Sequence, residues 1–215
     1  MQKVITVRGS ANVKVKPDYV NILINLETLD IEYGAAMKEA ARRIEKLKAA
    51  LKSVKVDTED LRTTDFGVDT EWEWTKDKYG NRQTHVFKGY KIRQSLKLGF
   101  DFDRGRMVSI LSAVSRSGVD PEFRVRFTVK DTSPVKEELF AKASENARKI
   151  AEGLCRGVGR KLGDIVNINY SWHEIDVYHE MDGCCDCTCG AAEGPDINPE
   201  DLDASDSITF TWELE

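Results

Sequence analysis

Two runs decide the fold class: Asp65-Phe66-Gly67-Val68-Asp69-Thr70-Glu71-Trp72-Glu73-Trp74, and, after a turn near Lys78-Tyr79-Gly80-Asn81, Gly89-Tyr90-Lys91-Ile92-Arg93-Gln94-Ser95-Leu96-Lys97-Leu98. Phe66, Val68, Trp72 and Trp74 alternate with Asp65, Asp69, Glu71 and Glu73. In the second run Tyr90, Ile92, Leu96 and Leu98 alternate with Lys91, Arg93 and Lys97. A period of two is the mark of a strand with one apolar face. An antiparallel hairpin sets the acidic face of the first strand across from the basic face of the second, at roughly 0.2–1 kcal/mol per opposed pair. The register expected is Asp69 near Arg93 and Glu71 near Lys91; a slip of two residues serves the charges nearly as well. The tryptophan-bearing side is expected to lie under helices. The charged side reads as a solvated face, or else as a surface that docks a partner or a neighbouring subunit.

Upstream, Val20, Ile22, Ile24 and Leu26 alternate with Asn21, Asn25 and Glu27 after Pro17-Asp18. Residues 2–9 and 12–31 are expected to form a hairpin or bent strand pair around Gly9-Ser10-Ala11-Asn12. From Gly34 the period changes to steps of three and four through Met37, Ala40, Ala41, Ile44, Leu47, Leu51 and Val54, an amphipathic helix. Its polar face offers Glu39/Arg43 and Arg42/Glu45 as pairs. Downstream, Met107, Ile110, Leu111 and Val114 predict a helix stopped near Ser117-Gly118. Phe123, Val125, Phe127 and Val129 predict a strand. Asp131-Thr132-Ser133-Pro134 opens a long helix whose stripe reads Leu139, Ala143, Ala147, Ile150, Leu154 and Val158, closed by Gly157, Gly159 and Gly163. Val166, Ile168, Tyr170 and Trp172 form one late strand face and Ile208, Phe210, Trp212 and Leu214 another, and the two are expected to pair. The order β-β-α-β-β-α-β-α-β-β gives an α+β fold with a mainly antiparallel sheet and helices packed on it. The expectation is one domain over 1–215 carrying a flexible, acidic, Cys-rich insert at 176–206.

Composition bounds the function. The 215 residues hold 32 Lys+Arg against 37 Asp+Glu, a net charge of −5, which argues against nucleic-acid binding through bulk attraction. No run of about 18 apolar residues is available to span a bilayer. Met1 leads directly into a strand-like segment and not into a signal-peptide core, which points to the cytoplasm, or to an extracytoplasmic site if a leader has been removed.

Four of the five cysteines, Cys184, Cys185, Cys187 and Cys189, crowd one short segment. Four thiolates can hold zinc or Cu(I), with His173 or His179 as a substitute ligand. Structural zinc sites, however, bring two separated pairs together. Redox chemistry, a local disulfide or a reduced loop without a ligand are the other readings. His173-Glu174-Ile175-Asp176-Val177 departs from H-E-x-x-H at Val177 and reads as strand. Gly157-Val158-Gly159-Arg160-Lys161-Leu162-Gly163 follows a helix, where a phosphate cradle must open one, so it reads as a helix stop. Cys155 falls beside the long helix's apolar stripe as a buried, inert thiol. Trp72, Trp74, Trp172 and Trp212 all fall on strands and are expected to pack in the core.

Ile5-x-Val7-x-Gly9 followed by Pro17-Asp18 and an Ala- and Lys-rich helix resembles the opening of the SIMPL-domain family, which includes periplasmic immunogenic proteins. Leu61-Arg62-Thr63 before Phe66-Gly67-Val68, then Gly89-Tyr90, are similar to its next strands. Ala141, Ala147 and Ala151 running to Gly159 and Leu162-Gly163 are similar to its late helix. The resemblance covers nearly the whole chain. It implies a non-enzymatic, homo-oligomer-forming domain with no catalytic residues and no cofactor, in some members assembled into ring- or channel-like particles, and loosely linked to stress defence and signalling through protein contacts. The chain departs from the family pattern in its Cys-rich 176–206 segment, and on the reading of its start as strand it is expected to lack the leader of the best-known members. The alternative function is a metal- or redox-responsive protein working through Cys184–Cys189.

Overall fold

The computed structural model describes residues 3–76, 83–170, 178–183 and 198–215. The elements are β1 (Val4–Val15), β2 (Tyr19–Asp30), α1 (Tyr33–Ser53), β3 (Leu61–Lys76), β4 (Gln83–Asp101), α2 (Arg104–Arg116), β5 (Glu122–Thr128), α3 (Ser133–Gly157), β6 (Leu162–Asn169), β7 (Tyr178–Gly183) and β8 (Leu202–Leu214). The α+β class, the antiparallel pairing and the order of elements agree with the sequence reading, with the short β7 added. Within the stretch read as an insert, β7 and the first turn-ward residues of β8 are strand; Leu202 and Ala204 alternate with Asp203 and Ser205, and their inward side chains are buried. No helix among the described residues is long and apolar enough to cross a membrane.

The chain divides into two compact units. One comprises Met1–Asp18, Thr128–His179 and Pro199–Glu215; the other comprises Tyr19–Phe127 and Glu180–Asn198. In the first, β1, β8 and β6 form a sheet in the order β1-β8-β6, and β1 pairs with β8 from Val4 opposite Glu213 to Val15 opposite Leu202. The hairpin expected between residues 2–9 and 12–31 is therefore not formed. Strand β1 runs straight through Gly9, and β1 and β2 belong to different sheets. The predicted pairing of the two late strands does form, as β6 against β8.

Helix α3 lies on the β1–β8 face through Leu139, Ala143, Ala147, Ala151 and Cys155, all buried. Four of those five side chains are small, and the helix comes correspondingly close. A Cβ on Gly9 would fall 2.1 Å from the Ala143 carbonyl oxygen and 2.6 Å from the Ala147 Cβ. Ser10, the next residue, accepts a hydrogen bond through its carbonyl from Asn146 Nδ2 at 2.8 Å. The stripe read from hydrophobicity holds only as far as Ala147. Ile150, Leu154 and Val158 are exposed, because the close approach admits only the smaller side chains one position further on. Cys155 is buried, as expected. The helix ends with Gly159 at φ +67° and Arg160 N–H donating to the Cys155 carbonyl at 2.9 Å, the glycine stop that the sequence predicts.

In the second unit the sheet order is β3-β4-β2-β5-β7. Val20, Ile22, Ile24 and Leu26 of β2 and Leu96, Leu98 and Phe100 of β4 face one core with Leu47 and Leu51 of α1 and Met107, Ile110 and Val114 of α2. Arg43 does not pair with Glu39, which is held by Arg42 instead. The Arg43 guanidinium turns inward, donates to the Glu27 and Val119 carbonyls and reaches Thr28 Oγ1 at 3.3 Å. It thereby ties α1 to β2 and to the turn after α2, and it supplies a partner for the buried Thr28 hydroxyl.

Two outcomes follow. Gly9→Val should lower the stability of the first unit by about 1–3 kcal/mol, the usual cost of forcing volume into a packed contact, read as a shifted urea midpoint; an unchanged midpoint would mean that α3 does not lie this close. The second concerns Tyr170, whose hydroxyl donates to buried Asp206 Oδ2 at 3.1 Å. Burial first, and then the bond to a carboxylate, push its phenol above the ordinary value. A folded-state value above the unfolded one means that the stability is complete below about pH 10, the unfolded phenol's range, and is lost as pH rises through the folded value. Tyr170→Phe should show less of this alkaline loss in denaturation curves recorded from pH 8 upward.

Candidate functional site

The β3–β4 pair outruns its neighbour. Strand β2 stops at Asp30 opposite Tyr90, whereas β3 and β4 stay paired to Lys76 opposite Gln83. The outer part is thus a two-stranded ribbon. At its root Gly89 has φ +143°, and a Cβ there would sit 2.3 Å from the Asp30 carbonyl oxygen, so only glycine lets β4 pass the end of β2. A bulge follows: Glu71 lies opposite Gly89, but Trp72 lies opposite Phe87. Such an irregularity sharpens the local twist and re-aims the side chains beyond it.

Opposite residues share a face, so Thr70/Tyr90, Trp72/Phe87 and Trp74/His85 line one side of the ribbon. Their rings form a chain. Trp74 stacks on His85 with centroids 4.5 Å apart, and His85 stacks on Trp72 at 5.0 Å. Trp72 meets Phe87 edge-on at 5.1 Å, Phe87 meets Tyr90 at 5.5 Å, and Tyr90 meets Tyr33, the first residue of α1, at 5.5 Å. Each such pair contributes about 0.5–1.5 kcal/mol beyond its buried area. The chain stiffens the ribbon along its length.

The expectation that this side is shielded under helices is corrected by the structure. Trp72 is 46% and Trp74 64% exposed, and Phe66 and Val68 are exposed nearer the sheet. Helix α1 begins at Tyr33, so it covers Ile92 with Ala36 and Ala40 but starts too late to cover the ribbon. Of the other two tryptophans, Trp212 is buried as expected and Trp172 lies outside the described residues.

The opposite side is held by charge. Asp69 lies opposite Lys91 and not Arg93, the two-residue slip from the expected register, and Arg93 reaches Asp69 diagonally in an ion pair. Glu73 pairs with Lys88. Lys91 turns the other way, to Glu27 on β2 at 2.8 Å, and that bond holds its ammonium above the ordinary lysine value. These contacts are solvent-exposed and worth little individually, but they gather the charged side chains on the side of the ribbon opposite the rings.

Cys184, Cys185, Cys187, Cys189 and His173 lie outside the described residues, and His179 is on β7. Among the described residues, no group of three or more His, Cys, Asp or Glu side chains is placed to hold a metal ion. On the ribbon's aromatic side, His85 is the one acid–base group between the tryptophans. What this surface offers is apolar area and ring edges. Its presence was readable in the alternation of the sequence; its exposure was not, because the alternation of a strand does not say where a covering helix begins.

Because Trp72 and Trp74 stand in water and Trp212 does not, acrylamide should quench a component of the native fluorescence that disappears in Trp72→Phe/Trp74→Phe. A double variant with the same quenching constant as the parent would place both rings in the core.

A search of curated proteins finds none that matches this chain. A family profile does match: SIMPL, described as a protein of unknown function (DUF541), aligns over residues 5–212 and so takes in both compact units. The chain belongs to the SIMPL family.

Proposed function

We propose that the chain is a protein-interaction and self-assembly module and not an enzyme, serving stress defence or signalling through the contacts it makes. The aromatic ribbon carries this reading. Half-exposed tryptophans contribute little to the core of their own unit, and contiguous apolar surface of this kind marks interaction sites in soluble proteins. Tryptophan and tyrosine also dominate the few residues that supply most of the energy at protein interfaces. The ring chain adds pre-organisation. A rigid platform loses less freedom on docking than a mobile one, so more of the contact energy survives as affinity.

The test is sedimentation of the full chain over a wide concentration range. The expected result is a mass above that of the monomer, and a shift towards monomer in Trp72→Ser/Trp74→Ser. If the pair acts as a hot spot of about 2 kcal/mol, the loss in association is about 30-fold. A parent chain that stays monomeric throughout would refute the self-assembly.

A further inference from the structure

Strand β1 has an open edge, since it is the last strand of its sheet among the described residues. The backbone groups on that edge can be named. Leu214 N–H donates to the Lys3 carbonyl at 2.8 Å, and in the antiparallel register with β8 the bonded pairs alternate, so Val4, Thr6, Arg8 and Ser10 turn their N–H and C=O groups outward. The Ser10 carbonyl is taken by Asn146 of α3. Asn146 therefore stands over the open edge, and Ile150 and Leu154 follow it at steps of four along the same flank of the helix. Because α3 packs with Leu139 beside Val13 and Ala147 at Gly9, that flank runs above the edge from Ser10 towards Val4. Ile150 and Leu154 are 40% and 53% exposed, an apolar wall beside an edge that has no strand on it. The sheet's other edge is blunted: β6 carries two register shifts against β8, whereas β1 has none.

We propose that this edge receives the outer part of β3 from a second copy of the chain, which adds a strand to the β1-β8-β6 sheet. The proposal rests on the self-assembly reading and names what the aromatic ribbon docks on. Strand β3 is itself the last strand of its sheet, so it too brings backbone groups without a strand partner. An antiparallel addition with Arg8 opposite the partner's Glu71 sets Val7 opposite the partner's Trp72 and Ile5 opposite the partner's Trp74. Opposite residues share a face, and Ile5 and Val7 face α3, so both indoles arrive beside the Leu154 flank. Charge selects this occupant. Among the described residues Arg8 is held by the neutral Ser207 hydroxyl alone, at 2.7 and 3.0 Å. On β3, Asp69 and Glu73 are taken by Arg93 and Lys88, but Glu71 lies opposite Gly89 and makes no ion pair among the described residues. A second β1 would bring Arg8 no carboxylate, because β1 contains neither Asp nor Glu. A parallel addition from the same Arg8 and Glu71 would set the two indoles opposite Gly9 and Ala11, across the carbonyl that Asn146 already holds. Edge and ribbon are different surfaces, so the contact is heterologous.

The experiment is sedimentation equilibrium of the full chain and its variants, alone and mixed, with circular dichroism melts to report folding. Thr6→Pro removes an outward N–H that β8 does not use, a place where an edge strand tolerates proline. It is expected to weaken self-association by about tenfold or more, as is Trp72→Ser/Trp74→Ser. Mixed together, the two variants are expected to form a one-to-one complex and nothing larger, because the first keeps its ribbon and the second keeps its edge. Arg8→Glu and Glu71→Arg should each weaken association, and Arg8→Glu/Glu71→Arg should restore it, since the swap rebuilds the pair between copies. If Thr6→Pro associates like the parent while Trp72→Ser/Trp74→Ser does not, the edge is refuted as the docking site and the assembly reading stands. A mixture without a complex likewise overturns the proposal. If Thr6→Pro fails to fold, Leu154→Glu takes its place in the mixture. A parent that is monomeric at every concentration refutes both the docking and the self-assembly.

Discussion

The approach of α3 to β1 at Gly9 is the constraint on which the first unit depends. With Ala143 and Ala147 pressed against a residue that has no side chain, the helix has one depth and one rotation available. Everything else on α3 follows from that rotation. The side chains one step further along the sheet-facing row must be small, so Ala151 and Cys155 go inward, and the large apolar residues at 150, 154 and 158 are turned outward. Close packing of this sort gains many weak dispersion contacts at once. It also explains how a helix of ordinary amphipathic character ends with apolar groups on two sides.

The second unit is set by length mismatch. Helix α1 and strand β2 both give out near the level of Tyr90, while β3 and β4 continue. A strand pair without a covering layer either frays or finds internal support. This one has support on both sides, with stacked rings on one and ion pairs on the other. At its root a bulge between Glu71 and Trp72 shifts the register, an irregularity of the kind that sharpens strand twist. Gly89, like Gly9, is forced by a backbone oxygen, so the two glycines that matter most structurally do the same steric work in different units.

Much of the architecture was legible in the sequence because it rests on periodicity. The strand alternations around Val20–Leu26, Phe66–Trp74, Tyr90–Leu98 and Ile208–Leu214 and the helical steps of α1 and α2 are local signals, and each element lies where they put it. Local signals fail where partners are chosen at a distance. Nothing in Ile5–Val15 says that its neighbour is β8, almost two hundred residues away, and not β2. Nor does amphipathicity distinguish two adjacent rows on α3 when both are apolar; the choice is made by the depth of the groove at Gly9. The electrostatic register was readable only to within one repeat, since acidic and basic strands that alternate regularly match equally well after a slip of two. The Arg43 contacts with backbone carbonyls carry no sequence signal at all, because any long cation at that position looks like a surface residue.

The way the first unit is threaded sets a folding order. Its middle strand, β8, follows every other element in the sequence, whereas nearly all of the second unit is one continuous stretch from Tyr19 to Phe127. During synthesis the second unit can collapse on contacts already present, but β1, α3 and β6 have no common sheet until β8 emerges and inserts between β1 and β6. Until then β1 has no strand partner within its sheet, and even with α3 laid on it the unpaired edge is of the kind that exposes a chain to aggregation.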